Sequence, residues 1–147
     1  MTRIQLIWIG KTRERCIREG LDDYLGRLKG YAELSITELR DERGSDAGRI
    51  VEKEGERILK LRTPYVLLDE KGRQMSSPEF ARFIERGGAV QSFVLGGAYG
   101  VSERVKTQAR STISLSSMTL THEMARLFFV EQLYRAYTII HKRGYHH

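Results

Sequence analysis

FVLGGAYGVSERVKTQARSTISLSSMTLTHEM, the stretch from Phe93 to Met124, decides how this chain folds. It holds two short apolar runs, Phe93-Val94-Leu95 and Ile113-Ser114-Leu115, and each passes directly into a loop of small or polar residues. Apolar runs too short for helices and closed by turn residues read as strands buried on both faces. Loops that leave the carboxyl ends of such strands are where an open α/β sheet binds its ligand. The first loop is Gly96-Gly97-Ala98-Tyr99-Gly100. Its glycines permit positive φ and a close approach to the backbone, a property shared by ligand loops and plain tight turns. It lacks the G-x-G-x-x-G spacing of a dinucleotide fingerprint, and no G-x-x-x-x-G-K-[ST] phosphate loop occurs in the chain. The second loop, Ser116 to Thr121, offers amides, hydroxyls and the thioether of Met118 ahead of a long helix. Taken alone it reads first as an ordinary helix lead-in with Thr121 as N-cap.

Downstream, the pattern predicts a helix over about Thr121 to Arg143 whose large apolar residues leave no broad polar face. Such a helix is buried on all sides, and one small sheet covers only one of them, so a second subunit is predicted as its cover. Glu131 and Arg135, four apart, suit an ordinary pair along that helix.

Upstream, Ile4 to Ile9 reads as the first strand and Arg13 to Gly30 as a helix with Ile17, Leu21, Tyr24, Leu25 and Leu28 on one face. Tyr31 to Leu39 reads as a strand, Asp41 to Asp46 as a loop, and the residues to about Arg62 as a helix. Tyr65 to Leu68 reads as a strand ending at Asp69, with Glu70 to Gln74 as the loop beyond it. Ser77-Pro78-Glu79 carries the marks of a helix start: a hydroxyl cap, a proline at the first position and an acid near the positive dipole end. Val90 to Leu95 forms the next strand, a short helix begins near Ser102, and Ile113 opens the last strand. Strands alternating with helices make an α/β domain with a mostly parallel sheet and flanking helices.

A chain of 147 residues suits a single domain, residues 1–147, with no linker. No apolar run approaches the length of a membrane span, and Met1 to Ile4 leads straight into a strand rather than a signal peptide. A cytoplasmic protein without a membrane partner is expected. Cys16 has no partner for a disulfide and is expected to be a buried, inert thiol. A formal net charge of +6 suits a polyanionic partner such as RNA, although many proteins reach that charge without one.

Taken together, the motifs are more specific than any one loop. FVLGG-x-x-G, then LS-x-MT-x-x-H-x-x-x-R, then VEQLYRA, with Leu67-Leu68-Asp69-Glu70-Lys71-Gly72 ahead of them and Tyr145-His146 at the end, closely resemble the bacterial ribosomal RNA large-subunit methyltransferase H family. The resemblance runs over essentially the whole chain. It implies a SPOUT-class fold with a C-terminal trefoil knot, which pattern reasoning would not have reached, since knots are close to absent among folds. It also implies a homodimer, S-adenosylmethionine as methyl donor, no metal, and N3 of a pseudouridine in 23S rRNA of the ribosome as acceptor.

For the donor, the matched positions are Leu68, Gly97, Leu115, Ser116, Ser117, Met118, Thr119 and Leu120, where loop shape matters more than side-chain identity. For the acceptor, whose nitrogen must lose a proton, a base or a cation lowers the barrier. His146, Arg135 and Tyr145 are the expected catalytic residues, with His122 at the substrate. Composition alone would make the tail a frayed terminus and His122 a first-turn helix residue. Two readings compete with the enzyme: a non-catalytic basic RNA-binding module and a nucleotide-binding regulator.

Overall fold

The computed structural model describes residues 1–147. Five strands and five helices alternate: β1 Thr2–Ile9, α1 Arg15–Leu28, β2 Ala32–Leu39, α2 Ala47–Leu59, β3 Val66–Gln74, α3 Ser77–Arg86, β4 Val90–Leu95, α4 Glu103–Gln108, β5 Ser111–Ser114 and α5 His122–Ile140. The sheet order is β2-β1-β4-β3-β5, and every pairing is parallel. Period-two alternation explains how the central strands can be apolar throughout. In β1, Ile4, Leu6 and Trp8 face one layer while Ile7 and Ile9 face the other. The first layer is α1, α3 and α5, which close over Trp8, Phe93 and Leu95. The second is thinner, with Ile58 of α2 and Val105 of α4 packed on Ile7, Leu67 and Val94. No helix is long and apolar enough to cross a membrane.

Side-chain caps fix the helix starts. Asp46, Ser76, Ser102 and Thr121 each accept a hydrogen bond from the amide three residues on, which satisfies one free N–H of the first turn. The cap of α3 is therefore Ser76, one residue before the expected Ser77. The hydroxyl of Ser77 instead donates to Gln132 of α5 at 2.7 Å.

Three further expectations change. β3 does not stop at Asp69 but runs on to Gln74 through an irregularity, because Leu68 and Arg73 both pair with Ile113. Gly72 makes that possible: a Cβ there would lie 2.7 to 2.8 Å from backbone atoms of Thr112 and Ile113. Cys16 is exposed. It stands next to Ile17 in sequence, but a 100° step around α1 carries it off the buried stripe. Finally, α5 finds most of its cover within its own chain. Phe129, Val130, Leu133, Ala136 and Tyr137 are buried under the sheet, α1 and α3. What stays open is Met124, 43 % exposed, with Leu127, Phe128, Tyr134, Ile139 and Ile140 partly buried.

Candidate functional site

The turn within β3 and the loops after β4 and β5 meet at the carboxyl end of the sheet and enclose a cleft of about 730 Å³. That is ample for a cofactor-sized ligand. Leu68, Gly97, Leu115, Ser116, Met118, Thr119, Leu120 and His122 all line it. Ser117 does not; it is exposed at the crown of the second loop. Asp69, Glu70, Lys71 and Lys106 add charge to the walls, which the motif comparison did not foresee. The Thr119 hydroxyl donates to Glu70 at 2.8 Å, tying the loop after β5 to the turn within β3. Ser116 Oγ accepts from the Met118 amide at 2.9 Å and folds its own loop into a turn.

The glycine loop closes on itself, with the Gly100 amide donating to the Gly97 carbonyl at 3.1 Å and Gly100 at φ +81°. Gly97 is small for a second reason. A Cβ there would lie 3.1 Å from Glu54 Oε1 and 3.3 Å from Ile9, so its missing side chain faces inward against the second layer. The carboxyl of Glu54 is buried, accepts the Glu42 amide at 3.1 Å through Oε2, and leaves Oε1 without a partner. Burial raises its pKa above the ordinary carboxylate value.

Behind the cleft, the first turn of α5 is held by charges that the sequence did not single out. Glu123 Oε1 accepts from the amides of Arg13 at 3.0 Å and Glu14 at 2.9 Å. Burial alone would raise its pKa, but those two amides outweigh it and hold the carboxylate below its ordinary range. Arg126 is fully buried over the Trp8 ring, donating to the Ile9 carbonyl at 2.5 Å and to the Thr12 hydroxyl at 2.9 Å. Desolvation lowers its pKa to about 10. Beside it, His122 is pushed down by burial and then by the Arg126 charge, so it faces the cleft as a neutral imidazole. The histidine and arginine of the H-x-x-x-R motif thus divide the work, one facing the cleft and the other anchoring α5 to β1.

The tail forms a separate cluster. Arg135 donates to Glu131 Oε1 at 2.6 Å, and its Nη1 lies 3.2 Å from His146 Nδ1. Its guanidinium also lies 4.8 Å from the Tyr145 ring centroid. Tyr145 donates its only hydroxyl proton to Glu131 at 2.9 Å, so the Tyr24 hydroxyl at 3.1 Å is the donor to Tyr145. Burial and these bonds raise the pKa of Tyr145, which stays protonated. The tail is consequently docked rather than frayed. Glu131 organises it and Tyr24 supports it. From sequence, Glu131 reads as the helix partner of Arg135, which it is, and Tyr24 as a core position; their contacts with the tail are added by the fold. The three expected catalytic residues come together, but not with the cleft. At the rise of an α-helix, roughly 20 Å of α5 separates His122 from Arg135.

The family model described as "Predicted SPOUT methyltransferase" matches residues 2–146. A Geotalea daltonii protein named ribosomal RNA large subunit methyltransferase H is 50 % identical over 99 % of both chains. The chain belongs to the SPOUT methyltransferases, in this large-subunit methyltransferase H family. Proteins of the same name from Geotalea uraniireducens and Geobacter sulfurreducens are 45 % and 46 % identical, again over 99 % of both chains. A solved structure of a probable methylase family protein from Haemophilus influenzae superposes with a TM-score of 0.58. It covers 98 % of this chain and 70 % of that one at 12 % identity, a likeness of fold alone.

SPOUT methyltransferases use S-adenosylmethionine, and the cleft suits that molecule. Leu68, Leu95, Leu115 and Leu120 supply apolar walls, and the loop backbones supply the fixed amides and carbonyls that a purine edge and a ribose require. When bound, the cofactor supplies an electrophilic methyl group already attached to its leaving group. The chain has only to bind, align and manage the acceptor's proton. No group of three or more His, Cys, Asp or Glu side chains comes together in metal-binding geometry.

Proposed function

We propose that this protein transfers a methyl group from S-adenosylmethionine to N3 of a pseudouridine in 23S rRNA. It does so as a homodimer in which the tail of one subunit faces the cofactor cleft of the other. The observation that carries the proposal is the separation of the cleft from the Arg135–Tyr145–His146 cluster within one chain. A second subunit closes that gap without unfolding either part, and the open apolar residues Met124, Leu127 and Phe128 near the cleft end of α5 offer it a surface. The substrate class follows from the names of relatives 45 to 50 % identical over the whole chain. The trefoil threading of the family belongs to the same reading, with the loop after β5 passing beneath the glycine loop.

In this arrangement the cleft aligns the donor, and Leu68, Gly97 and the loop from Leu115 to Leu120 hold it by backbone and apolar contact. His122, neutral at the cleft wall, positions the incoming base. Arg135 stabilises negative charge as it spreads onto the ring oxygens beside N3. While Arg135 donates to His146 Nδ1, the proton of His146 sits on Nε2, where it is a hydrogen-bond donor to a base carbonyl. Service as the proton acceptor requires that bond to open. Tyr145, held by Glu131 and Tyr24, keeps the tail in place.

The test is tritium transfer from labelled cofactor to ribosomes by the full chain and by a chain ending at Gly144. The truncation should lose transfer by a factor of 10² or more while retaining cofactor affinity within about twofold. Full activity in the truncation would remove the tail from the mechanism. Loss of both activity and cofactor affinity would place the tail at the donor rather than the acceptor.

A further inference from the structure

The opposite end of the sheet carries a second cleft, about 610 Å³ in volume, bounded by the starts of β3, β4 and β5 and by α3. Four arginines from three parts of the chain converge on it: Arg73 near the end of β3, Arg82 and Arg86 one turn apart on α3, and Arg110 just before β5. Glu79 is the only acid on its walls, and that carboxyl already accepts the Ser76 hydroxyl at 3.2 Å. None of the four guanidinium groups has an ion-pair partner; eight arginines elsewhere also lack one, but these four share a single concavity. No side-chain hydrogen bond holds them either, and all four are exposed. Gathering four unneutralised cations in one concavity raises their mutual repulsion, which a bound anion relieves. No lysine lines this cleft. Guanidinium forks match the paired oxygens of phosphate, where a lysine would offer only a point charge.

We propose that this cleft is a second RNA-binding site, a groove that grips the phosphate backbone of the substrate RNA away from the nucleotide being methylated. The inference rests on the proposed ribosomal RNA substrate and locates a part of its recognition. β4 begins at Val90 in this groove and ends at Leu95 in the cofactor cleft. At about 3.3 Å per residue the two are on the order of 17 Å apart. The phosphates held here thus belong to nucleotides several steps from the acceptor, or to a neighbouring strand of a folded RNA. Such contacts set position and affinity and leave the chemistry to the other end of the sheet.

Three measurements on the full chain test this, comparing Arg82→Gln/Arg86→Gln with Lys29→Gln/Arg49→Gln, which removes the same charge from exposed positions outside both clefts. The first is anisotropy of a fluorescein-labelled single-stranded RNA of about 20 nucleotides across a salt series. The groove variant should bind at least tenfold more weakly at low salt, with a log–log salt slope flatter by roughly 1.4, and the control should shift by less than threefold. The second is methyl transfer to ribosomes, in which KM should rise in the groove variant while kcat and cofactor affinity hold. The third substitutes a labelled poly-glutamate peptide for the RNA. Equal weakening in the two variants would reduce the effect to bulk charge and overturn the groove. Tighter binding of the peptide than of the RNA would assign it to an acidic protein instead. RNA binding that depends on Arg82 and Arg86 without any methyl transfer to ribosomes would leave the groove standing and sink the proposed substrate.

Discussion

Glu123 and Glu54 flank the cleft from behind, both are buried, and their environments push them in opposite directions. Glu123 holds two backbone amides, so its folded-state pKa lies below the ordinary 4.5 and its contribution is present above that pH and lost as pH falls through the folded value. Glu123→Gln keeps an acceptor but loses the charge, which should cost about 1 to 2 kcal/mol at pH 7. The gap to wild type should narrow in thermal melts below pH 4.5, where the wild-type carboxylate also takes a proton. Glu54 carries the reverse sign. Its pKa is raised by burial, so the wild type loses stability as pH climbs from 4.5 through the folded value. Glu54→Gln keeps the acceptor for the Glu42 amide and removes the buried charge, so its Tm should exceed that of wild type at pH 8 and converge with it at acidic pH. A Glu54→Gln Tm below wild type at pH 8 would mean that the buried charge has a stabilising partner. Neither role was visible in sequence. Glu54 lies among the alternating charges of Lys53, Glu54, Glu56 and Arg57, and only packing under the glycine loop separates it from its solvated neighbours.

The glycine loop owes its small residues to the layer behind it as well as to the cleft in front. Reading GGAYG after a buried strand places a loop at the ligand end of the sheet, and Gly97 does line the cleft. Yet the Cβ it lacks would point at Glu54 and Ile9. Gly97→Val should therefore act through packing: a branched side chain pushes the loop outward, lowering Tm and weakening cofactor binding tenfold or more. Calorimetric titration with S-adenosylmethionine beside a thermal melt checks both. Unchanged affinity with the fold intact would detach this loop from the cofactor. The existence of the five strands and five helices and the parallel character of the sheet were legible because buried parallel strands write continuous apolar runs between helical periods, whereas the strand order was not. The continuation of β3 was not, since Glu70-Lys71-Gly72-Arg73-Gln74 reads as a loop, and only the contact of Gly72 with the β5 backbone shows why it pairs. The tail was legible as a motif but not as a cluster, because Glu131 and Tyr24 lie at ordinary helix positions until the chain folds around them.

For the whole molecule, the distribution of parts decides how many copies one reaction needs. In the proposed homodimer, with the cleft at one end of α5 and the Arg135–Tyr145–His146 cluster well along it, a two-fold pair with α5 near the axis would offer each cleft its partner's tail. Sedimentation equilibrium at micromolar concentration should then return about twice the 17.0 kDa chain mass. A stronger test pairs two impaired proteins, assayed with the cofactor held below the Kd of the Gly97→Val cleft. Gly97→Val impairs the donor cleft, with the lower Tm that its packing implies, and leaves the tail in place, while truncation after Gly144 removes the tail and leaves the cleft. A heterodimer of the two contains one site with both defects and one site with neither. Random exchange at equal concentrations makes about half of all dimers mixed, so roughly a quarter of wild-type transfer should return when the two are unfolded together and refolded. If cleft and tail of the same chain cooperated, every site in every dimer would carry one defect and no activity could return. Tritium transfer to ribosomes before and after joint refolding separates the two geometries, and refolding each variant alone controls for recovery without exchange.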